Sequence, residues 1–368
     1  MKARVIAIYL PQYHPIPETD AVWGKGFTEW TNVVQARPLF KGHYQPQIPS
    51  DLGFYDLRMP EIREMQAEYA RKAGIEGFAY YQYYFGDGKM LLQRPFEEVL
   101  KSGKPDFPFC LYWANHSWQT KSWKPGMSRK EGSTMIMEQK YGGEKQYVDH
   151  FMYNLPAFKD PRYITVDGKP MFIIWDPMIN PEQIALMIKT WQRLAKENGL
   201  KGIHFVANEG EELSVEDFHK LGFDAVHQSH HQLAINGSKN WTLWHRIRNF
   251  ILRKFDVSLY LNKSDFGKNY PLLVNDEAKR NDVYPTLVAG FDRSPRSGKK
   301  AEMFYNFTPA TWRLHIKDVF RYVKNKDQEH NLIFLKSWNE WGESNHMEPD
   351  LKYGTAMLDV LKEELKTD

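Results

Sequence analysis

A chain of 368 residues that is 42% hydrophobic and 15% aromatic can bury a large core, as two domains or as one large α/β barrel. Its formal charge of +3 is too small to indicate a nucleic-acid groove. Cys110 is the sole cysteine, which excludes an intrachain disulfide and a cysteine metal cluster.

At the N-terminus, Met1-Lys-Ala-Arg4 leads into a short apolar run that stops before Pro11. That run is too short for a secretory leader and reads as a first strand, Val5–Leu10; with no later stretch of membrane-spanning length, a cytoplasmic protein is expected. Further β-prone runs follow at Gly77–Tyr84, Phe109–Trp113, Pro170–Trp175, Ile203–Ala207, Ala225–Gln228, Thr286–Gly290 and Leu332–Ser337. Amphipathic helix candidates between them include Met59–Ala73, Pro181–Asn198 and Pro309–Asn325, the first two followed by the C-cap candidates Gly74 and Gly199. Strands alternating with helices imply parallel βα units, and eight of them predict a single (β/α)8 TIM barrel over 1–368 with its active site at the strand C-termini. Long βα-loop insertions are expected at about 15–50 and 229–285. The first holds Glu29 and Trp30, a candidate cleft wall. The second contains a basic amphipathic helix over 241–255, which fits packing on the barrel or, less readily, weak contact with a membrane surface.

The barrel rule makes the residues at the strand ends candidates for substrate contact: Gln12, Tyr13 and His14; Gln82 and Tyr83; Trp113, Asn115, His116 and Trp118; Asp176; Asn208 and Glu209; His227, Gln228 and His230; Asp292; Asn339. Loop capping is the competing account for single members such as Asp176 and Asn208. The final strand carries the densest signal, Trp338-Asn-Glu-Trp-Gly-Glu343. Glu340 and Glu343 can divide acid and base roles when unequal surroundings separate their pKa values. Trp338 and Trp341 beside them offer flat apolar faces on which a sugar could rest.

These motifs carry a family likeness. Ile8-Tyr-Leu-Pro-Gln-Tyr-His14, Trp23-Gly-Lys-Gly-Phe-Thr-Glu-Trp30, Pro38-Leu-Phe-Lys-Gly-His-Tyr-Gln-Pro46, Asp51-Leu-Gly-Phe-Tyr-Asp56, Asp160-Pro-Arg-Tyr163 and Trp338–Glu343 make the chain resemble the WbsX-type proteins, which are similar to glycoside hydrolase family 99. The resemblance implies a retaining, endo-acting glycosidase on an α-linked, mannose-type substrate. It assigns Glu340 as base toward the substrate's own 2-hydroxyl and Glu343 as general acid/base. Two segments depart from that pattern. Ala114-Asn-His-Ser-Trp118 has His116 where relatives carry glutamate, and Gly290-Phe-Asp-Arg-Ser-Pro-Arg296 has Arg293 where they carry asparagine.

Rival classes remain open. WbsX-type proteins are often described as glycosyltransferases, yet the chain has no Asp-x-Asp pair for a nucleotide diphosphate and no phosphate-cradling glycine loop. Transglycosylation needs neither. A non-catalytic carbohydrate-binding barrel would not need two carboxylates. His227, His230 and His231 are of metal-ligand type, but rim histidines more often bond substrate or backbone, so neither a metal nor a cofactor is expected. Cys110 reads as inert core. The expected partner is an oligosaccharide or polysaccharide, from a bacterial surface glycan or its precursor; nucleic acid is not expected, and oligomeric state stays open.

Overall fold

Runs such as Met171–Ile174 and Leu332–Leu335 are apolar at every position, which suits strands covered on both faces, and all eight of these residues are fully buried. The computed structural model describes residues 3–120, 134–208, 213–237, 247 and 261–367. Its strands β1 (Arg4–Tyr9), β2 (Gly77–Gly86), β3 (Phe109–Trp113), β4 (Lys169–Ile174), β5 (His204–Asn208), β6 (Ala225–Gln228), β7 (Val283–Val288) and β8 (Leu332–Lys336) pair in parallel with their sequence neighbours. β8 then pairs with β1, Arg4 against Leu332 through Ala7 against Leu335, so the sheet closes into a (β/α)8 barrel.

Helices Pro60–Ala73, Arg94–Ser102, Glu144–Phe158, Pro181–Glu197, Val215–Lys220, Pro309–Val323 and Ala356–Thr367 surround it. Their ends follow from local chemistry. Proline opens several of them, where its missing N–H costs nothing. Gly74 closes Pro60–Ala73 with φ 86°, a conformation that glycine adopts without strain. Thr308 and Thr311 cap Pro309–Val323 reciprocally.

The seventh strand begins three residues earlier than the sequence pattern predicts. Val283 to Pro285 pair with Val226 to Gln228 despite the proline, and the strand ends at Val288, short of Gly290 at φ 72°. The first insertion folds into helices Pro17–Trp23 and Glu29–Gln35. Within the second, Ala234, Ile235, Phe266 and Leu273 form a satellite core with Val288, Phe291 and Phe304. Strand Asn262–Asp265 there runs parallel to Glu302–Tyr305. The amphipathic segment 241–255, with its membrane-surface reading, lies outside the described residues except for Ile247. No helix among the described residues is long and apolar enough to cross a membrane.

Trp191 anchors the layer of helices to the sheet. Its ring is fully buried, 4.7 Å from Phe172 and 5.0 Å from His150, and its indole N–H donates to the Tyr147 carbonyl at 2.9 Å. Trp191→Ala should destabilise the fold by about 3–5 kcal/mol through the cavity it leaves. Denaturant unfolding measures this, and a loss below about 1 kcal/mol would contradict the packing.

Candidate active site

Beyond β8 the chain makes a tight loop. Asn339–Glu340 pairs antiparallel with Asn345–His346, and the 3₁₀ turn Trp341–Glu343 lies between them. The Asn345 amide donates to the carbonyls of Gly290 and Lys336, fixing the loop on the ends of β7 and β8. This fold-back turns Glu340 and Glu343 toward one guanidinium, that of Arg296. Arg296 Nη1 donates to Glu343 Oε1 at 2.6 Å and stands 3.6 Å from Glu340 Oε1. Its Nε and Nη2 donate to Glu29 Oε2 at 3.1 and 3.0 Å. Arg293 adds a second cation, with Nε 3.2 Å from Glu343 Oε1. Glu29 presses so closely on the β8 loop that a Cβ on Gly342 would stand 1.7 Å from its Oε2.

The two glutamates are buried alike but charged differently. Burial pushes Glu340 up to about 7, reinforced by Glu343 and opposed by Arg296, Lys336 and the hydroxyl of Ser337, 3.1 Å away. Burial would also raise Glu343, but Arg296, Arg293, Lys336 and His231 outweigh it and hold it at about 2. The surroundings thus push the two carboxyls apart, Glu340 toward tighter and Glu343 toward weaker proton binding, and they titrate as a coupled pair. Burial raises Glu29 as well, against Arg296. Tyr81, Tyr83 and Tyr112 are raised by burial and then by the Glu340 charge, which places their phenols around that carboxyl.

Several predicted contacts belong to this mouth. Gln12 donates to the Tyr83 hydroxyl at 3.1 Å. A small recess joins Gln12, His14, Glu29 and Trp118. Burial lowers His14 to about 4, and its Nδ1 has no described partner. His116 is half-buried beside Trp175, with ring centres 6.2 Å apart.

Others have structural work instead, and these expectations are corrected. Trp338 and Trp341 are fully buried, so neither ring offers a face to a sugar; Trp341 stacks on His346 and donates to Glu348 at 2.6 Å. Trp30 and Trp113 are also buried, donating to the carbonyls of Tyr55 and Tyr84. Tyr13 bonds the loop backbone at Asn339 and Trp341. Three amides brace adjoining strand ends: Asn339 on Leu10, Asn115 on Asp176, and Asn208 on the Trp175 carbonyl. Strand alternation turns Gln82 outward to His150 and Asn154, and Gln228 bonds Glu277. Asp176 caps Met178. His227 lies inside the barrel, 2.8 Å from Thr286 Oγ1. His230 is half-buried, and Glu209 is outside the described residues. Asp292 bonds His43 and Gln45 and lines a different space. That space, a cavity of about 270 Å³ behind the β8 loop, contains neither Glu340 nor Glu343.

Arg296, Trp175, Tyr81 and Lys336 are site residues that strand-end reading passes over. The glycine between two glutamates was the available signal for close approach by another element.

The family model described as "Glycosyltransferase WbsX" matches residues 5–361. The chain belongs to the WbsX family. Two proteins from Xanthomonas campestris pv. campestris strains, both named "Uncharacterized protein WxcX", are each 32% identical to this WbsX chain and align with 99% of it. The alignments cover 50% of each relative, so the chain spans about half the length of the curated relatives it matches. The GH99 endo-alpha-mannosidase from Bacteroides thetaiotaomicron superposes with a TM-score of 0.57 at 14% identity, over 99% of this chain and 98% of that one. A structure described as a glycoside hydrolase-like protein gives 0.56 at 14% identity, over 99% and 94%. At that identity the likeness is one of fold.

The raised Glu340 has a consequence for stability. Its carboxyl binds the proton more tightly in the folded chain than at its ordinary value of 4.5, so stability present at lower pH is lost as pH rises from 4.5 through about 7. Glu340→Gln should match the parent near pH 4 and exceed it at pH 8. The gap should open by about 1.4 kcal/mol per pH unit at most. Denaturant unfolding at a series of pH values measures it; parallel curves for the two proteins would remove Glu340 as the proton carrier.

Proposed function

We propose that this chain is a retaining, endo-acting glycosidase on an α-linked bacterial surface polysaccharide or its precursor, a mannose-containing chain being the first candidate. The observation that carries the reading is the pair Glu340 and Glu343 gathered around Arg296 at the C-terminal mouth of the barrel, in surroundings that push the first carboxyl up and hold the second down. Acid/base cleavage of a glycosidic bond needs one carboxyl that gives a proton and one that takes or shares charge. The fold shared with a GH99 endo-alpha-mannosidase supports the same reaction class. The family's description as a glycosyltransferase is accommodated if a sugar hydroxyl, instead of water, intercepts the intermediate.

Two role assignments follow. The family resemblance makes Glu340 the base toward the 2-hydroxyl and Glu343 the acid/base. The surroundings of the two carboxyls favour the exchange, because burial raises the proton affinity of Glu340. Kinetics on defined α-linked oligosaccharides and activated aryl glycosides separates them. Under the family assignment, Glu343→Gln loses roughly 10²–10⁴-fold on poor leaving groups and much less on activated ones. That pattern in Glu340→Gln instead establishes the exchanged roles. A 2-deoxy substrate that binds without being cleaved fits 2-hydroxyl participation, and normal turnover of it excludes that route. Absence of cleavage across α-linked glycans would overturn the glycosidase reading in favour of a binding barrel or a transferase.

The pair also predicts a pH profile. The single-proton form is lost as pH rises through about 7, so kcat/KM should fall there. Activity that is flat through pH 9 would separate catalysis from this pair.

A further inference from the structure

Lys336 closes β8 with its side chain in the mouth, and its place is unusual for an ammonium. The residue is 7% exposed, with Nζ 5.9 Å from the Trp175 ring centre and 5.6 Å from that of Phe291. Among the described residues its Nζ makes no hydrogen bond and has no carboxylate within ion-pair distance. Arg293 is the second cation at this wall. Its side chain is 39% exposed, and its Nε, although 3.2 Å from Glu343, is not aligned to donate to it. Of the three cations around the mouth, Arg296 donates to Glu29 and Glu343, whereas Arg293 Nε and Lys336 Nζ donate to no carboxylate among the described residues. A buried ammonium without a hydrogen-bond partner is costly.

The surrounding groups define what would take up that charge. Trp175 is partly exposed and flat, with Lys336 over its ring and His116 near it. His116 Nδ1 is buried without a hydrogen-bond partner. His231, near Lys336, Arg293 and Glu343, is held neutral by burial first and then by the Lys336 charge. A sugar on Trp175 would thus have an ammonium, a guanidinium and neutral imidazoles within reach of its substituents.

We propose that Lys336 and Arg293 form a subsite for an anionic substituent, a carboxylate or a phosphate ester, on a sugar that rests on Trp175 beside Glu340 and Glu343. This deepens the glycosidase reading and rests on it for the identity of the ligand as a glycan. Occupation would also draw Arg293 and Lys336 away from Glu343, relieving the charges that keep it ionised and moving it toward the acid role. A Lys336 that served only to tune Glu340 would show no preference among substrates.

The test is titration calorimetry of the full chain with hexamers of mannuronate and of galacturonate, the same hexamers with their carboxyls reduced to alcohols, and hexose 6-phosphates. Acidic ligands should bind roughly 10–100-fold more tightly than the reduced hexamers, as one charge-assisted hydrogen bond provides, and salt should weaken the preference. Lys336→Met should abolish the preference of the chain for acidic over reduced hexamers. Arg293→Gln, at an exposed side chain, should reduce it and serves if Lys336→Met fails to fold. Preference for the phosphates over the uronates assigns the substituent to a phosphate ester. Equal binding of acidic and reduced hexamers, no binding of any acidic ligand, or equal weakening of both by Lys336→Met overturns the subsite. A Lys336→Met effect confined to the pH profile does the same. Cleavage of glycans without acid preference removes the subsite alone, whereas acid-selective binding without cleavage removes the glycosidase reading alone.

Discussion

The site depends on one buried guanidinium. Arg296 stands 267 residues from Glu29 and 47 from Glu343 in sequence, and it holds both carboxylates through three N–H bonds. Two carboxylates packed this closely without a cation would repel each other and take up protons. With Arg296 between them, the loops after β1, β7 and β8 become one structure, and the position of each carboxylate is set by the other two loops. Buried ion pairs of this kind contribute little net stability over apolar packing, but loss of one member is severe. Arg296 therefore fixes geometry more than it adds to the free energy of folding.

The same cation makes the glutamates unlike. Arg296 contacts Glu343 directly and Glu340 at longer range, and Arg293 adds to the imbalance on the Glu343 side. The proton affinity of the pair is thereby weighted toward Glu340 and away from Glu343. Under the proposed glycosidase reading, which glutamate would protonate a leaving oxygen is a property of the complex, governed by the charges that a bound sugar would bring or displace.

The barrel was legible because strands covered on both faces leave unbroken β-branched and aromatic runs, as in Met171–Ile174, and because proline and glycine mark the helix ends. The seventh strand was misplaced because Pro285 marks a break in a sequence but here lies inside a paired strand. The carboxylate pair was visible from spacing alone. Its neighbours were less so, because polarity at a strand end does not say which way a side chain turns. Asn339, Asn115 and Asn208 spend their amides on adjoining strand ends, which makes the rim stiff and leaves variation to the loops. Trp338 and Trp341 sit next to glutamates in sequence yet face the core. Arg296 was unmarked because its partners are brought together by the closing of the barrel.

The narrow gap at Gly342 also constrains how this site can change over time. Because any Cβ there would occupy the space of the Glu29 carboxylate, the two positions are not independent. A descendant that acquires a side chain at 342 does so with least disturbance if residue 29 has already been lost or shortened. Taken in the opposite order, the intermediate carries a displaced carboxylate and an arginine stripped of its partner. The site thus imposes a sequence of events on its own divergence, a form of epistasis written into one van der Waals contact.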